Sequence, residues 1–202
     1  MDDTNATGAS GVPVTRERLS PAVVIETAAR MLDAEPGQDL TLAAVAARLG
    51  VRPPSLYKHV DGATGLRRGV MLRAKADLAA VLERAAVGKS AEQAISALAG
   101  AYREWAREHP GQYPLTVRAP EAGDPADEET STRLVSLLYA VLDGYGLEQD
   151  ERVDAARFLR SVLHGFVDLE TSAAFRLPRD LDRSFARAVT SAAAALADWT
   201  RR

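Results

Sequence analysis

The chain has 202 residues, of which 47% are hydrophobic and 26% charged, and it contains no cysteine. This length is enough for one or two globular domains with a sizeable core. The lack of cysteine excludes disulfides, thiolate catalysis and cysteine-based zinc sites. No apolar run approaches the roughly 20 residues that cross a bilayer, and the acidic start Met1-Asp2-Asp3 is unlike a signal peptide. We therefore expect a cytoplasmic protein without a membrane partner.

Charge is distributed unevenly along the chain. The formal net charge of −3 by itself disfavours a nucleic-acid partner. Residues 14–75, however, contain ten Lys and Arg against six Asp and Glu, a net charge of +4, and the other residues carry −7. The basic excess in one segment is modest, but it is of the sign that contact with DNA requires.

The N-terminal residues predict a tail followed by a helix. Residues 1–14 are small, polar and without periodicity, which is typical of a disordered segment. Ser20 and Pro21 then provide a helix start, with Ser as the cap and Pro in the first turn. We expect this helix to end near Glu35-Pro36-Gly37, because Pro and Gly interrupt a helix.

Residues 41–60 predict two short helices joined by a tight corner. In the first, apolar residues recur at i, i+3, i+4 and i+7, which places them on one helix face. They are Leu42, Val45, Ala46 and Leu49. Thr41 has the side chain of an N-cap. Gly50 follows the last apolar residue, where the chain often needs a positive φ that glycine adopts without steric cost.

The second short helix is predicted to run from about Pro53 to His59. Two prolines can open a helix because the N–H groups of its first turn have no intrahelical partner. Leu56 and Val60 share an inward face. The residues left to face outward, at least in part, are Pro54, Ser55, Tyr57, Lys58 and His59. Because these can bond to phosphates and base edges, the stretch predicts a DNA-binding helix-turn-helix. An ordinary corner between two helices has the same spacing.

From about Leu19 to Leu82 the chain resembles the DNA-binding region of the tetracycline-repressor (TetR) family. The opening helix contributes Ile25, Ala28, Ala29 and Leu32 to this resemblance. The motif contributes Leu40-Thr41, Val45-Ala46, Leu49-Gly50-Val51 and Leu56-Tyr57-Lys58-His59-Val60. The resemblance implies a three-helix head that places its second motif helix in the major groove of DNA.

The resemblance also implies a role for each candidate DNA-binding residue. Thr41 would cap the first motif helix and touch a phosphate. The positions expected to face the major groove are Arg52, Pro54, Ser55 and Lys58, and those expected to hold the DNA backbone are Tyr57 and His59. The turn at Asp61-Gly62-Ala63-Thr64 lacks the lysine that many members place there to bind phosphate. Arg67 and Arg68, one turn later, are the candidates to replace it, together with the helix N-terminus itself.

The remaining residues predict further helices and no strand. A long helix over residues 64–87 would connect the head to the rest. Later helices are predicted from Ser90 to His109, over 113–118, up to Gly144, over 150–175 and over 180–199. Residues 119–127, rich in Pro, Gly and acidic residues, predict a mobile loop. We therefore expect an all-α protein with a DNA-binding domain over residues 15–63 and a helical effector-binding and dimerisation domain over residues 64–202.

The last two helices carry more apolar side chains than one buried face needs, which indicates a partner. In the TetR family the final two helices pair with those of a second copy as a four-helix interface. Small residues would let such helices approach closely; they are Ala188, Ala192, Ala193 and Ala195. Alternatively, an Ala-rich helix packs on its own core. We favour a homodimer, since a single head reads too few base pairs to be selective.

The middle helices contain aromatic and polar side chains that suit a small organic ligand. Trp105 and His109-Pro110-Gly111, with Leu163-His164-Gly165-Phe166, resemble a subgroup of TetR C-terminal domains known for a Trp-His-Gly pattern, which defines no ligand. The candidate cavity residues are Tyr102, Trp105, Tyr113, Leu138, Tyr139, Phe158 and His164, and each also suits an ordinary core. His164 and Asp168 share a helix face but are too few for a metal site, so no metal or cofactor is predicted.

Nothing in the sequence resembles an active site, because the three histidines occur without a catalytic motif. We therefore predict a non-enzymatic, ligand-responsive transcriptional regulator, a repressor that binds a palindromic operator as a homodimer. An unknown small-molecule effector would shift the dimer between two arrangements, with residues 64–87 carrying the shift. One alternative is a helical small-molecule-binding or metal-dependent protein whose helix-turn-helix is only an interaction module. Another is an architectural DNA binder with no effector.

Overall fold

The computed structural model describes residues 18–199, in which every regular element is helical, as the all-α prediction requires. The α-helices are α1 (Pro21–Ala34), α2 (Leu42–Leu49), α3 (Gly62–Ala86), α4 (Ala91–Glu108), α5 (Tyr113–Thr116), α6 (Pro125–Leu142), α7 (Gln149–Thr171) and α8 (Leu181–Trp199). Two 3₁₀ helices span Pro53–Lys58 and Asp143–Tyr145. The tail predicted at residues 1–14 lies outside the described residues. No helix within 18–199 is long and apolar enough to cross a membrane.

The N-terminal head consists of α1, α2, the first 3₁₀ helix and the first half of α3. Its helix starts are as predicted: the Ser20 hydroxyl accepts from the Val23 N–H at 3.3 Å and the Thr41 hydroxyl from the Ala44 N–H at 3.2 Å. Gly50 ends α2 with a φ of 67°, which favours glycine. The head packs around an apolar core whose members include Val24, Ala28, Val45, Leu56, Leu66 and Val70.

The second helix of the motif is 3₁₀ and ends at Lys58, one residue before the predicted end. The sequence predicted its position but not its geometry. Pro53 and Pro54 remove two N–H groups, and the short segment closes with i to i+3 bonds such as Ser55 N–H to the Arg52 carbonyl at 2.9 Å, which are typical of short helices of this kind. The inward face is nonetheless the predicted one, because Leu56 and Val60 are buried.

The larger domain consists of the second half of α3 with α4 to α8. It is called the sensor below, after the effector-binding role expected from the sequence. Its core is continuous along α4, which packs against α3, α7 and α8. Helix α3 has 25 residues and contributes to both cores: Leu66 and Val70 belong to the head, whereas Leu78 and Leu82 belong to the sensor. One uninterrupted helix therefore joins the two domains.

Several predicted boundaries shift by a few residues. Helix α3 begins at Gly62 instead of 64. The predicted loop over 119–127 is shorter, because α6 begins at Pro125 and the Asp124 carboxylate caps it by accepting from the Asp127 N–H at 3.2 Å. Helix α7 ends at Thr171 instead of 175, since Ala173 turns the chain with a φ of 55°. The sequence only weakly indicates a helix start at Asp-Pro or an alanine with a positive φ, so these boundaries were placed a few residues away.

Candidate functional site

The predicted DNA-binding residues of the motif lie together on the outer face of the head. The side chains of Arg52, Pro54, Tyr57 and Lys58 are exposed, and those of Ser55 and His59 are half-buried. Tyr57 is 64% exposed, whereas Leu56, directly before it, is fully buried. The buried neighbour anchors the backbone in the head core, so the polar side chains are presented on a fixed support. Thr41 is exposed at the start of α2, where it caps that helix.

Helix α3 begins beside this face, at Gly62, and the side chain of its N-cap residue, Asp61, makes no capping bond. Of the two arginines suggested to replace the missing lysine, Arg68 is used elsewhere: it donates to both carboxylate oxygens of Asp124 at 2.5 and 2.6 Å. Arg67 is exposed and forms no ion pair among the residues that the structure describes. Any phosphate contact at this end of α3 is thus left to Arg67 and the helix N-terminus.

A cavity of about 120 Å³ lies inside the sensor, between α3, α4, α6 and α7. Residues 116–120, from the last residue of α5 onward, close one side. Its apolar walls include Leu78, Leu82, Leu98, Leu134, Leu138 and Leu163. Tyr102 and Leu138 are the members of the predicted ligand set that line it. Two of its walls, Leu78 and Leu82, belong to α3, which begins beside the predicted DNA-binding residues.

Three of the other predicted residues pack elsewhere in the sensor. Trp105 is buried, donates from Nε1 to Asp77 at 2.9 Å and lies 4.8 Å from the His109 ring. Phe158 packs against Trp199 with ring centroids 5.8 Å apart. Tyr139 lies under the Arg152 guanidinium, 5.2 Å from ring to cation. The sequence located these side chains on the middle and final helices but could not assign their directions.

The two remaining residues of the predicted ligand-binding set, Tyr113 and His164, are linked to Tyr102 by hydrogen bonds. The Tyr102 and Tyr113 hydroxyls are 2.9 Å apart, and the Tyr113 hydroxyl is 2.6 Å from Nδ1 of His164. Burial raises the pKa of both tyrosines, so they stay neutral donors at pH 7. Within residues 18–199, no group of three or more His, Asp or Glu side chains is placed to hold a metal ion. These hydrogen bonds connect Tyr102, in the cavity wall, to Tyr113 on α5 and His164 on α7.

Sequence reasoning missed the contact by which α1 of the head docks onto the corner between α4 and α5. The Asp33 carboxylate accepts from the N–H groups of Gly111 and Gln112, both at 3.1 Å, and from Nε2 of Gln112 at 2.5 Å. Nδ1 of His109 is 2.9 Å from the same carboxylate. A side chain on Gly111 would bring its Cβ within 2.0 Å of the Leu32 carbonyl oxygen. These partners lie more than 70 residues apart, so no local pattern reveals them.

A buried ion pair also escaped the sequence analysis. Nζ of Lys75 in α3 donates to Asp127 in α6 at 2.5 Å, and both side chains are 1% exposed. Lys75 also donates to Ser131 at 2.9 Å, and Asp127 accepts from the Glu121 N–H at 3.1 Å. Burial alone would raise the pKa of Asp127, but the bonds from Lys75 and Glu121 outweigh it and lower that pKa. Because Ser131 lines the cavity, this ion pair is one contact away from it.

Comparison with known proteins finds related regulators and a matching C-terminal domain family. Residues 95–192 match the model of the tetracyclin repressor-like C-terminal domain. The chain is 40% identical over 154 residues to the uncharacterised HTH-type transcriptional regulator Rv0681 of Mycobacterium tuberculosis, covering 76% of this chain and 71% of that protein. It is 32% identical over 165 residues to the uncharacterised HTH-type transcriptional regulator YobS of Bacillus subtilis, covering 81% of this chain and 85% of that protein.

Among solved structures, the fold is similar to that of ActR, a TetR family protein of Streptomyces coelicolor determined in complex with (S)-DNPA. The TM-score is 0.63 at 19% sequence identity, over 88% of this chain and 96% of that one. This likeness shows the fold, and the relatives show the family, which does not favour a helix-turn-helix that is only an interaction module. The chain belongs to the TetR family of ligand-responsive, DNA-binding transcriptional regulators.

Proposed function

We propose that the protein is a homodimeric repressor whose affinity for a palindromic operator is set by a small-molecule effector bound in the cavity between α3, α4, α6 and α7. One observation carries this proposal: α3 begins beside the DNA-binding face, and its second half, at Leu78 and Leu82, walls the cavity. A displacement of α3 at the cavity is therefore transmitted to the head along one continuous helix, which rises about 1.5 Å per residue. That ActR was determined in complex with (S)-DNPA supports an effector in this fold.

The effector must discriminate between two arrangements of the protein. A ligand that binds both equally well shifts nothing, however tight its binding. We propose that it binds more tightly to the arrangement in which the heads do not fit successive major grooves. The walls at Leu78 and Leu82, together with Ser131 beside the Lys75–Asp127 ion pair, are the contacts through which a bound ligand would favour that arrangement.

The proposed dimer uses the outer faces of α7 and α8. Large apolar side chains remain exposed around the connection between these helices, including Leu169 at 44%, Phe175 at 37% and Leu177 at 81%. Of the four alanines expected at the interface, Ala192 and Ala193 are buried in the chain's own core, because α8 packs on α4 and α7. Ala188 and Ala195 are half-exposed and stay candidates for contact with a second copy.

Selection of bound fragments from a random duplex pool tests the operator and the dimer together. We expect a two-fold motif with half-sites about one helical turn apart. Similar affinities for the selected and random duplexes, with a steep dependence on salt, would instead indicate an architectural DNA binder.

Variants of the motif test the DNA-binding face. Lys58→Ala should weaken operator binding about tenfold or more and reduce the salt dependence by about one phosphate contact. Lys89→Ala is the matched control, because Lys89 lies after the far end of α3 and donates to the Ala85 carbonyl at 2.9 Å. Fluorescence anisotropy with a labelled operator measures the affinity of both variants. Unchanged affinity of Lys58→Ala and of Tyr57→Ala would contradict the proposed face.

A further inference from the structure

The sensor cavity is lined by charge of one sign only. Most of its walls are leucine, valine, alanine and proline side chains, with Tyr102, Thr116 and Ser131 as uncharged polar members. The formally charged side chains in its lining are Arg118 and Arg160, and no Asp or Glu contributes to it. An apolar cavity that carries two guanidinium groups and no carboxylate disfavours a cationic ligand and favours an anionic one.

Arg160 lines this cavity and is exposed to solvent. It lies on α7, and its Nη2 donates to the Val117 carbonyl, which follows α5, at 2.7 Å. Within residues 18–199 neither Arg160 nor Arg118 forms an ion pair, whereas Arg157, one turn before Arg160, is paired with Asp154 at 3.3 Å. A guanidinium has five N–H donors, so Arg160 keeps donors for a further acceptor after its bond to Val117.

The size of the cavity limits the apolar part of the ligand. Its volume is about 120 Å³, and an engineered apolar cavity of about 150 Å³ binds benzene. The enclosed part of a ligand is therefore no larger than a phenyl ring or a short branched chain. Leu98, Leu138 and Leu163 provide the apolar contacts for such a group.

We propose that the ligand of this cavity is a small amphipathic carboxylate, whose apolar body lies among the leucines and whose carboxylate is bound by Arg160 and Arg118. The planar guanidinium matches a carboxylate with two parallel hydrogen bonds, and the bond to Val117 reduces the freedom that Arg160 loses on binding. This inference rests on the proposed role of the cavity as the effector site.

Binding of matched acids and amides to the full chain, without DNA, tests this specificity. The probes are benzoate and phenylacetate, each compared with its neutral amide by isothermal titration calorimetry. We expect each acid to bind at least about tenfold more tightly than its amide, the factor that one charge-assisted hydrogen-bonded contact provides. Equal affinities of acid and amide, or no binding of either acid at millimolar concentration, would overturn the proposal.

Variants then locate the charge that binds the acid. Arg160→Gln, which keeps hydrogen-bonding groups but not the charge, should weaken benzoate binding about tenfold. Arg157→Gln, on the same helix but paired with Asp154 and outside the cavity, should leave it unchanged. If Arg160→Gln lowers the melting temperature, Arg160→Lys keeps the charge without the fork and should give an intermediate affinity. Wild-type affinity in both Arg160 variants would contradict the assignment.

Operator binding separates this inference from the proposed function. Acids that bind the protein but leave its operator affinity unchanged would support the ligand class and contradict the effector role. Release of the operator by the neutral amides, with the acids inactive, would support the effector role and overturn the ligand class.

Discussion

The head and the sensor differ in the character of the space between their helices. In the head, a cavity of about 320 Å³ beside α1 and α2 is lined by acidic and basic side chains as well as apolar ones, among them Arg30, Glu35, Asp39 and Arg48. In the sensor, the cavity of about 120 Å³ has mostly apolar walls. Apolar walls with a few polar groups suit a small organic ligand, which favours the sensor cavity over the larger one in the head.

The contacts inside each domain also differ in kind from the contacts between the two domains. Each core is held mainly by apolar packing, which has little directional preference. Their junction, by contrast, contains the Asp33 carboxylate against the corner of Gly111 and Gln112, and Arg73 paired with Glu26 while donating to Gln112 at 3.0 Å. Hydrogen bonds depend on distance and angle, so a polar junction fixes one relative position of the head. Changes at the junction and in the sensor should therefore have separable effects.

The largest effect is expected from Lys75→Met, which leaves Asp127 buried without its cation. Loss of one partner of a buried pair costs about 3–5 kcal/mol, and we expect a loss of that order in urea unfolding followed by tryptophan fluorescence, since both tryptophans lie in the sensor. Because the defect is between α3 and α6, hydrogen exchange should increase there more than in α1 and α2.

The double variant Lys75→Met with Asp127→Leu controls for the loss of packing. Without an unpaired carboxylate it should recover a large part of the lost stability, since apolar replacements of buried pairs are often tolerated. Equal destabilisation of the single and double variants would show that an unpaired carboxylate is not the cause of the lost stability.

Gly111→Ala should separate the head from the sensor. Its Cβ would lie 2.0 Å from the oxygen and 2.2 Å from the carbon of the Leu32 carbonyl, and backbone atoms cannot move aside as a flexible side chain would. We expect a cost of about 1–3 kcal/mol and faster hydrogen exchange in α1. Gly100→Ala, a helical position with nothing within 4 Å, should be neutral or stabilising, and a similar loss there would contradict the steric explanation.

Asp33→Asn keeps the size of the side chain but removes the charge that accepts these hydrogen bonds. Bonds to charged groups contribute about 1.5–3 kcal/mol when formed in full, and because the Asp33 side chain is 16% exposed we expect about 1–2 kcal/mol in thermal unfolding. The exposed Asp39, which makes none of the hydrogen bonds described at the junction, provides the control variant Asp39→Asn. If the two variants melt alike, the Asp33 contacts do not fix the head.

The smallest effect concerns acid stability near the start of α6. The hydrogen bond from Arg68 lowers the pKa of Asp124 to about 2, from an unfolded value of about 4. The stability from this pair is therefore present above about pH 4 and is lost as the pH falls towards 2. Arg68→Ala should make urea stability less dependent on pH in that window, whereas Arg67→Ala, without an ion pair there, should retain the wild-type slope.

Much of the helical arrangement could be predicted because it depends on local signals. Ser20, Thr41 and Gly50 fix helix ends through their own side chains or backbone freedom, and apolar periodicity located the inward face at Leu56 and Val60. The 3₁₀ geometry of Pro53–Lys58 and the helix start at Pro125 were missed. In both, a proline pattern has more than one structural outcome.

The two candidate sites also differ in how much of each could be predicted from the sequence. Most of the predicted DNA-binding residues lie within residues 52–59, so the motif alone placed them on one surface. The cavity is assembled from helices far apart in the chain, and the sequence supplied Tyr102 and Leu138 but not Arg118, Arg160 or Ser131. An exposed arginine or a small serine carries no periodic signal that distinguishes a cavity wall from a solvated position.

The sequence by itself determined the all-α class, the helix-turn-helix and the TetR family, because capping, periodicity and a contiguous motif are local properties. Only the tertiary structure decided that Asp33 docks the head, that Lys75 pairs with Asp127 inside the sensor, and that the cavity lining carries two arginines and no carboxylate. Each of these depends on side chains brought together from separate helices, where burial and direction set the strength of a polar contact.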